Sequence, residues 1–303
     1  MDSLLNALSY GAVAGAIYAS VALGYALIYS ILGFVNFAHG DLLAVGAYLC
    51  WFLGSAVLGL PLVLCILIAA IGTGLISLCL GKFVLVPART RSTMTALVAA
   101  IGLSLAIQSV VSLVFTPDAK AFYSGLAIST GNPVLSFTPL HLTILVGTLG
   151  ALAVTWFLFF KRSSLGIEIR ACASNPTAAR ILGLRRGRAF GIVFFLSGVL
   201  AGIAGIAKGL DDQIIVPTMG FALGIRAFIA SVIGGVKNFK GAIGGAFVLG
   251  MLENLAIFLV LSVPQFGILA AVVSKDTIAL IVLTGVLLWR PQGVFDRKVE
   301  SRP

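Results

Sequence analysis

Residues 161–188 read KRSSLGIEIRACASNPTAARILGLRRGR, a polar island in an apolar chain, with seven of its 20 Lys and Arg residues and a single acid, Glu168. Long apolar runs flank it at Leu142–Phe160 and Ala189–Ala207, each near the ~20 residues that cross a bilayer. A basic, helix-prone loop between two spans is what a membrane protein needs if a soluble partner is to push on it. Within the loop, Asn175 is a good N-cap, Pro176 suits the first helical position, and Gly183 can close the helix in a left-handed turn. The predicted 175–183 helix has two turns, too few to persist in water without a surface to dock on. That surface is either anionic lipid, with the helix lying in the interface, or a cytoplasmic protein.

Composition carries the membrane reading to the whole chain. Of 303 residues 60% are hydrophobic and only 10% charged, against about 25% charged in a soluble domain. Nine apolar segments follow, at about 4–31, 38–58, 61–82, 93–115, 139–160, 189–207, 219–236, 241–262 and 272–289. The expected fold is all-α, a polytopic bundle of 8–9 spans forming one domain over 1–303. The second span starts in the polar stretch Asn36-Phe37-Ala38-His39-Gly40-Asp41 and could enter as a broken or re-entrant helix. The β-barrel signature of ~10-residue alternating segments is absent, and no basic n-region marks a cleavable signal peptide.

Charge sets the expected orientation. With the island inside, Lys82, Arg89, Arg91, Lys237, Lys240, Arg290, Arg297, Lys298 and Arg302 fall inside with it, sixteen of the 20 Lys and Arg residues. This predicts an external amino terminus and a cytoplasmic carboxyl terminus, and it accounts for the net charge of +10 without nucleic acid. Many of the 35 glycines sit at small-xxx-small spacing, as at Gly11/Gly15, Gly198/Gly202, Gly205/Gly209 and Gly241/Gly245, where helix backbones can approach closely. Val35-Asn36-Phe37 with Gly40 echoes Lys237-Asn238-Phe239 with Gly241, a short match of the kind internal repeats leave in transporters.

Few residues could carry chemistry. His39, Asp41, Arg226 and Glu253 lie within or at the rim of spans, where an ionised group costs about 2.5–3.5 kcal/mol on insertion scales and must find a partner. Arg226 and Glu253, on successive spans, are expected either to pair or to line a substrate path. Asn36, His39 and Asp41 either cap the second helix or line a cytoplasmic gate. No Ser–His arrangement and no G-x-x-x-x-G-K-[ST] loop occurs, so neither hydrolysis nor nucleotide binding is expected of the chain itself. The four cysteines form no CxxC pair, and no metal is expected. Two intramembrane carboxylates leave ion-coupled secondary transport as the reading from another class, with an intramembrane enzyme a third.

Leu27 through Leu42, LIYSILGFVNFAHGDL, resembles the signature of the inner-membrane permease subunits of branched-chain amino acid ABC transporters. Arg170-Ala171-Cys172-Ala173-Ser174-Asn175 with Ala178, Ala179 and Gly183 is similar to that family's cytoplasmic loop. Lys275-Asp276-Thr277-Ile278-Ala279 and Arg290-Pro291-Gln292-Gly293-Val294-Phe295 match its closing segments, and Glu253 sits where the family places an acid. The resemblance implies a bacterial inner-membrane importer with two permease subunits forming a heterodimeric pore, two cytoplasmic ATPases that bind the ATP, and a periplasmic binding protein delivering substrate. It implies that 175–183 is a coupling helix touching an ATPase through Asn175, Ala178, Ala179, Leu182 and Gly183. Branched-chain or other hydrophobic amino acids are the implied cargo, with urea, short amides or other amino acids as the alternative. Lys237 and Lys240 depart from the neutral turn typical of the family.

Overall fold

A computed structural model describes residues 2–56, 59–122, 137–160, 164–174, 176–184, 186–236, 238–262, 274–290 and 293–294. The first helix, α1 (Asp2–Leu32), ends at Gly33, whose φ of +72° only glycine adopts freely. Then come α2 (Ala38–Trp51), continued by one π-turn at Phe52–Ala56, and α3 (Leu62–Leu80). A second π-turn at Gly81–Leu85 leads into α4 (Val86–Arg91). Its cause lies two residues on, since Pro87 has no amide hydrogen to donate and its ring crowds the preceding turn. Ser92, with extended backbone, starts α5 (Thr93–Phe115) by accepting from the Thr95 amide at 2.9 Å. The remaining helices are α6 (Pro139–Phe160), α7 (Ser164–Ser174), α8 (Pro176–Ile181), α9 (Arg186–Asp212), α10 (Met219–Gly234), α11 (Phe239–Ser262) and α12 (Lys275–Trp289). Two-residue strands β1 (Lys120–Ala121) and β2 (Ile214–Ile215) pair antiparallel, a small addition to the all-α expectation.

Among the described residues, six helical segments are long and apolar enough to cross a membrane: Leu4–Leu32, Leu62–Arg91, Thr93–Phe115, Pro139–Leu158, Gly187–Asp212 and Phe239–Val260. The shorter α2, α10 and α12 fill the other three predicted segments. The second segment is formed by α2 and the π-turn that continues it, starting deep in the bundle beside Tyr25 of α1, and at its far end the Trp51 indole donates to the Ala121 carbonyl at 3.1 Å. The described helix reaches Ala56, and residues 57–58 lie outside those described. Long α9 starts at Arg186, three residues before the predicted span, because the basic stretch continues the helix beyond the apolar run.

Loop contacts gather at the two ends of the bundle. At the island end, Arg89 Nε donates to the Leu32 carbonyl at 2.9 Å, Val294 donates its amide to the Ile233 carbonyl at 2.7 Å, and Lys240 stands over the Trp156 ring at 5.3 Å. The first two contacts satisfy carbonyls that helix C-termini leave free. At the other end lie the β1–β2 ladder and the Lys208–Asp211 and Lys208–Asp212 pairs.

The core is built on α1 and α9. Most of α1 is buried, with α9, α10 and α11 against it, whereas α3, α5 and α6 turn rows of Leu, Ile and Val outward. Close approach depends on glycine. A Cβ on Gly40 would lie 2.8 Å from Gly224 Cα and 2.9 Å from the Gly220 carbonyl, so α2 crosses α10 nearly backbone to backbone. Gly250 comes equally close to Gly15 where α11 meets α1.

Candidate functional site

Two polar clusters lie inside the bundle, and the island helix forms a third feature at its end. The first cluster sits where α2 enters. Asp41, fully buried, accepts from Gln108 Nε2 at 3.0 Å and from the Ser104 hydroxyl, both on α5. Ser104 and Gln108 are one helical turn apart, so both reach the same carboxylate. Tyr48, two turns beyond Asp41 on the same side of α2, packs on Phe115 of α5 with ring centroids 5.1 Å apart. His39 turns the other way and meets the Tyr25 ring of α1 edge-on at 4.8 Å. Gly24 makes the room, since a Cβ there would stand 2.7 Å from His39 Cε1.

This corrects the capping expectation. The α2 N-cap is Phe37, with no side-chain cap, and the entering amides are held by backbone bonds from His39 to the Asn36 carbonyl (3.1 Å) and from Gly40 to the Phe37 carbonyl (3.3 Å). Asn36 Oδ1 and both His39 ring nitrogens are buried without a hydrogen-bond partner among the described residues. The Val21 carbonyl lies near the His39 ring but outside hydrogen-bonding geometry. Buried polar atoms are almost always paired, so three orphans within four residues mark this entry as unusual.

The second cluster corrects the expected Arg226–Glu253 pair. Arg226 Nε instead binds Asp276 Oδ1 at 2.6 Å, joining α10 to α12. Glu253 Oε2 accepts from the Tyr18 hydroxyl at 2.8 Å, joining α11 to α1, while Oε1 has no hydrogen-bond partner among the described residues. Arg226 lies beside Tyr18, so the four side chains form a row across four helices with Tyr18 between cation and buried acid. Glu253 is fully buried, and Asp276 is the solvent-facing end. Attention to ionisable residues inside spans missed Tyr18, Ser104 and Gln108. Gln108 was the detectable one, a lone amide in an apolar run with Ser104 four residues before it.

In the island, α8 covers Pro176–Ile181 and Gly183 takes φ +76°. The Leu184 amide reaches back to the Ala179 carbonyl at 3.0 Å, the six-to-one bond of a Schellman stop. Asn175 lies outside the described residues. Ala179 is 3% exposed and packs into the chain, so it anchors the helix and cannot offer the contact surface that the sequence suggested. Ala178 is half-buried and Gly183 exposed. Leu182 (75% exposed) and Ile181 (81%), which sequence reading passed over, are the apolar side chains turned outward. Among the described residues no group of His, Cys, Asp and Glu could hold a metal.

The family described as branched-chain amino acid transport system / permease component matches residues 7–288. The high-affinity branched-chain amino acid transport system permease protein LivH of Salmonella typhimurium is 31% identical over 302 residues, covering 95% of this chain and 94% of its own. The corresponding permease protein BraD of Pseudomonas aeruginosa is 31% identical over 307 residues, covering 97% and 96%. The autoinducer 2 import system permease protein LsrC of Yersinia pestis is 31% identical over 169 residues, 53% of this chain and 44% of that protein. No solved structure matches the chain.

Proposed function

The chain belongs to the permease-component family of branched-chain amino acid transport systems, a membrane-spanning subunit of an ATP-driven importer, and from that premise we propose what it carries and how it is driven. The observation that supports the reading best is a family match over nearly the whole length, on a bundle whose short helix α8 leaves Ile181, and Leu182 just past it, exposed. The cargo is a branched-chain or other hydrophobic amino acid, delivered by a periplasmic binding protein. The bilayer is the bacterial inner membrane, with the island end cytoplasmic. A second permease subunit completes the pore, and two ATPase subunits bind and hydrolyse the ATP, so the chain itself needs no cofactor.

Force enters at α8. Ile181 and Leu182 seat in an ATPase, buried Ala179 fixes the helix to its own chain, and the Gly183 stop leaves only a short link to Arg186 at the head of α9. Movement of α8 is thus passed to the central helix. There the backbones come close: a Cβ on Gly202 would stand 3.0 Å from Thr73 Oγ1, and one on Gly46 would stand 2.9 Å from the Gly202 carbonyl. Such close packing of small residues makes α2 and α3 follow a shift of α9. The polar entry of α2 and the Tyr18–Glu253 row line the path that opens.

Transport into sealed vesicles carrying the reconstituted complex tests this. Leucine uptake should need ATP and the ATPase subunits and be indifferent to an uncoupler, and Leu182→Asp should abolish ATPase co-purification while the chain still inserts. Uptake that an uncoupler abolishes and ATPase loss leaves intact would instead establish secondary transport.

A further inference from the structure

A cavity of about 410 Å³ opens between helices at the island end, lined by Leu78 of α3, Leu158 of α6, Ile169 of α7, and Arg188, Gly191, Ile192, Phe195 and Leu196 of α9. Every lining side chain except Arg188 is apolar. Gly191 keeps the floor open, since a Cβ there would meet only Leu78 Cδ1 at 3.9 Å. From Arg188 to Leu196 the α9 floor runs eight residues, about 12 Å at 1.5 Å per residue, close to the depth of one hydrocarbon leaflet.

The charge at its mouth selects an occupant. Arg188 is exposed in the first turn of α9. Cations are unfavourable at a helix N-terminus, where the free amides already present positive charge, unless an anion sits among them. An apolar slot about one leaflet deep, with an exposed cation at its mouth, matches the chemistry of a lipid with an anionic head and hydrocarbon tails.

We propose that this groove between α3 and α6, floored by α9 and closed above by α7, binds one anionic glycerophospholipid of the island-side leaflet. Its phosphate lies against Arg188 and an acyl chain runs down to Leu196. The slot is separate from both polar clusters and borders α7, directly before α8, so the lipid acts as a fixed bearing for the arm that carries α8.

The test uses the purified full chain, assayed by native mass spectrometry after exchange into detergent with phosphatidylglycerol or phosphatidylcholine. Wild type should retain one phosphatidylglycerol per chain in preference to phosphatidylcholine. Arg188→Ala should weaken that retention about fivefold, Arg188→Lys should largely keep it, and Ile192→Trp, which fills the slot, should abolish it for both lipids. Equal retention of the two lipids by wild type would overturn the proposal, as would phosphatidylglycerol retention unchanged in both Arg188→Ala and Ile192→Trp. A lipid-independent dimer that Ile192→Trp dissociates would also overturn it, by assigning the groove to a second copy of the chain.

Discussion

The α1–α2 and α10–α11 junctions are built on one plan and finished differently. In each, a glycine in the left-handed region, Gly33 (φ +72°) or Gly235 (φ +96°), ends a helix three residues before an Asn-Phe pair that opens the next. Each helix that leads in packs on the helix that leads out of the other junction, α1 on α11 and α10 on α2. Both junctions also lie at the same end of the bundle, the arrangement of a parallel internal repeat. At the second, Asn238 caps α11 conventionally, its Oδ1 accepting from the Gly241 amide at 3.1 Å. At the first, Asn36 leaves its Oδ1 buried and unpartnered, α2 starts one residue later, and His39 and Asp41 take buried positions. The difference teaches where function displaced stability, because native proteins break local rules mainly at working sites.

The comparison can be broken most forcefully at Gly40. Gly40→Leu must push α2 off Gly220 and Gly224, and we expect a loss of about 3 kcal/mol or failure to fold, read as thermal unfolding in detergent and as folded yield. Gly102→Leu on the open face of α5, where nothing lies within 4 Å of a Cβ, should leave both unchanged. Next comes the carboxylate. Asp41→Ala leaves Ser104 and Gln108 without their acceptor, at a cost of about 1–3 kcal/mol. Adding Ser104→Ala and Gln108→Leu should recover part of that stability but none of the transport, which separates packing from the path. Recovery of both would reduce Asp41 to a structural lock.

The smallest effect sharpens the contrast most. Asn238→Ala should cost about 1 kcal/mol, an ordinary N-cap loss, whereas Asn36→Ala should change stability by a few tenths and lower transport. Equal stability losses in the two variants would show that the junctions are finished alike and remove the reason to regard the first as a working site.

Much of the fold was legible because spans are written in composition and length. Nine apolar segments, the basic island, the Pro176 start and the Gly183 stop all reappear in the structure. The side-chain pairings were not legible, because they depend on which helices become neighbours. Arg226 and Glu253 lie on successive spans, yet Asp276, at the rim of a later span, lies closer to Arg226, and Tyr18, over two hundred residues upstream, reaches Glu253. The burial of Ala179 was hidden for a similar reason. A helix of six residues has no apolar stripe long enough to show which side faces its own chain.

The π-turn at Gly81–Leu85 has a consequence beyond accommodating Pro87. A widened turn holds one residue more than an α-turn, and one residue rotates everything after it by about 100° around the helix axis. Arg89 follows that phase shift. In the unshifted phase its guanidinium would sweep about a quarter-turn away from Leu32, and the last carbonyl of α1 would lose its donor. The bulge therefore aims a cation as well as relieving a proline, and the closure of the most buried helix depends on a single surplus residue in its neighbour.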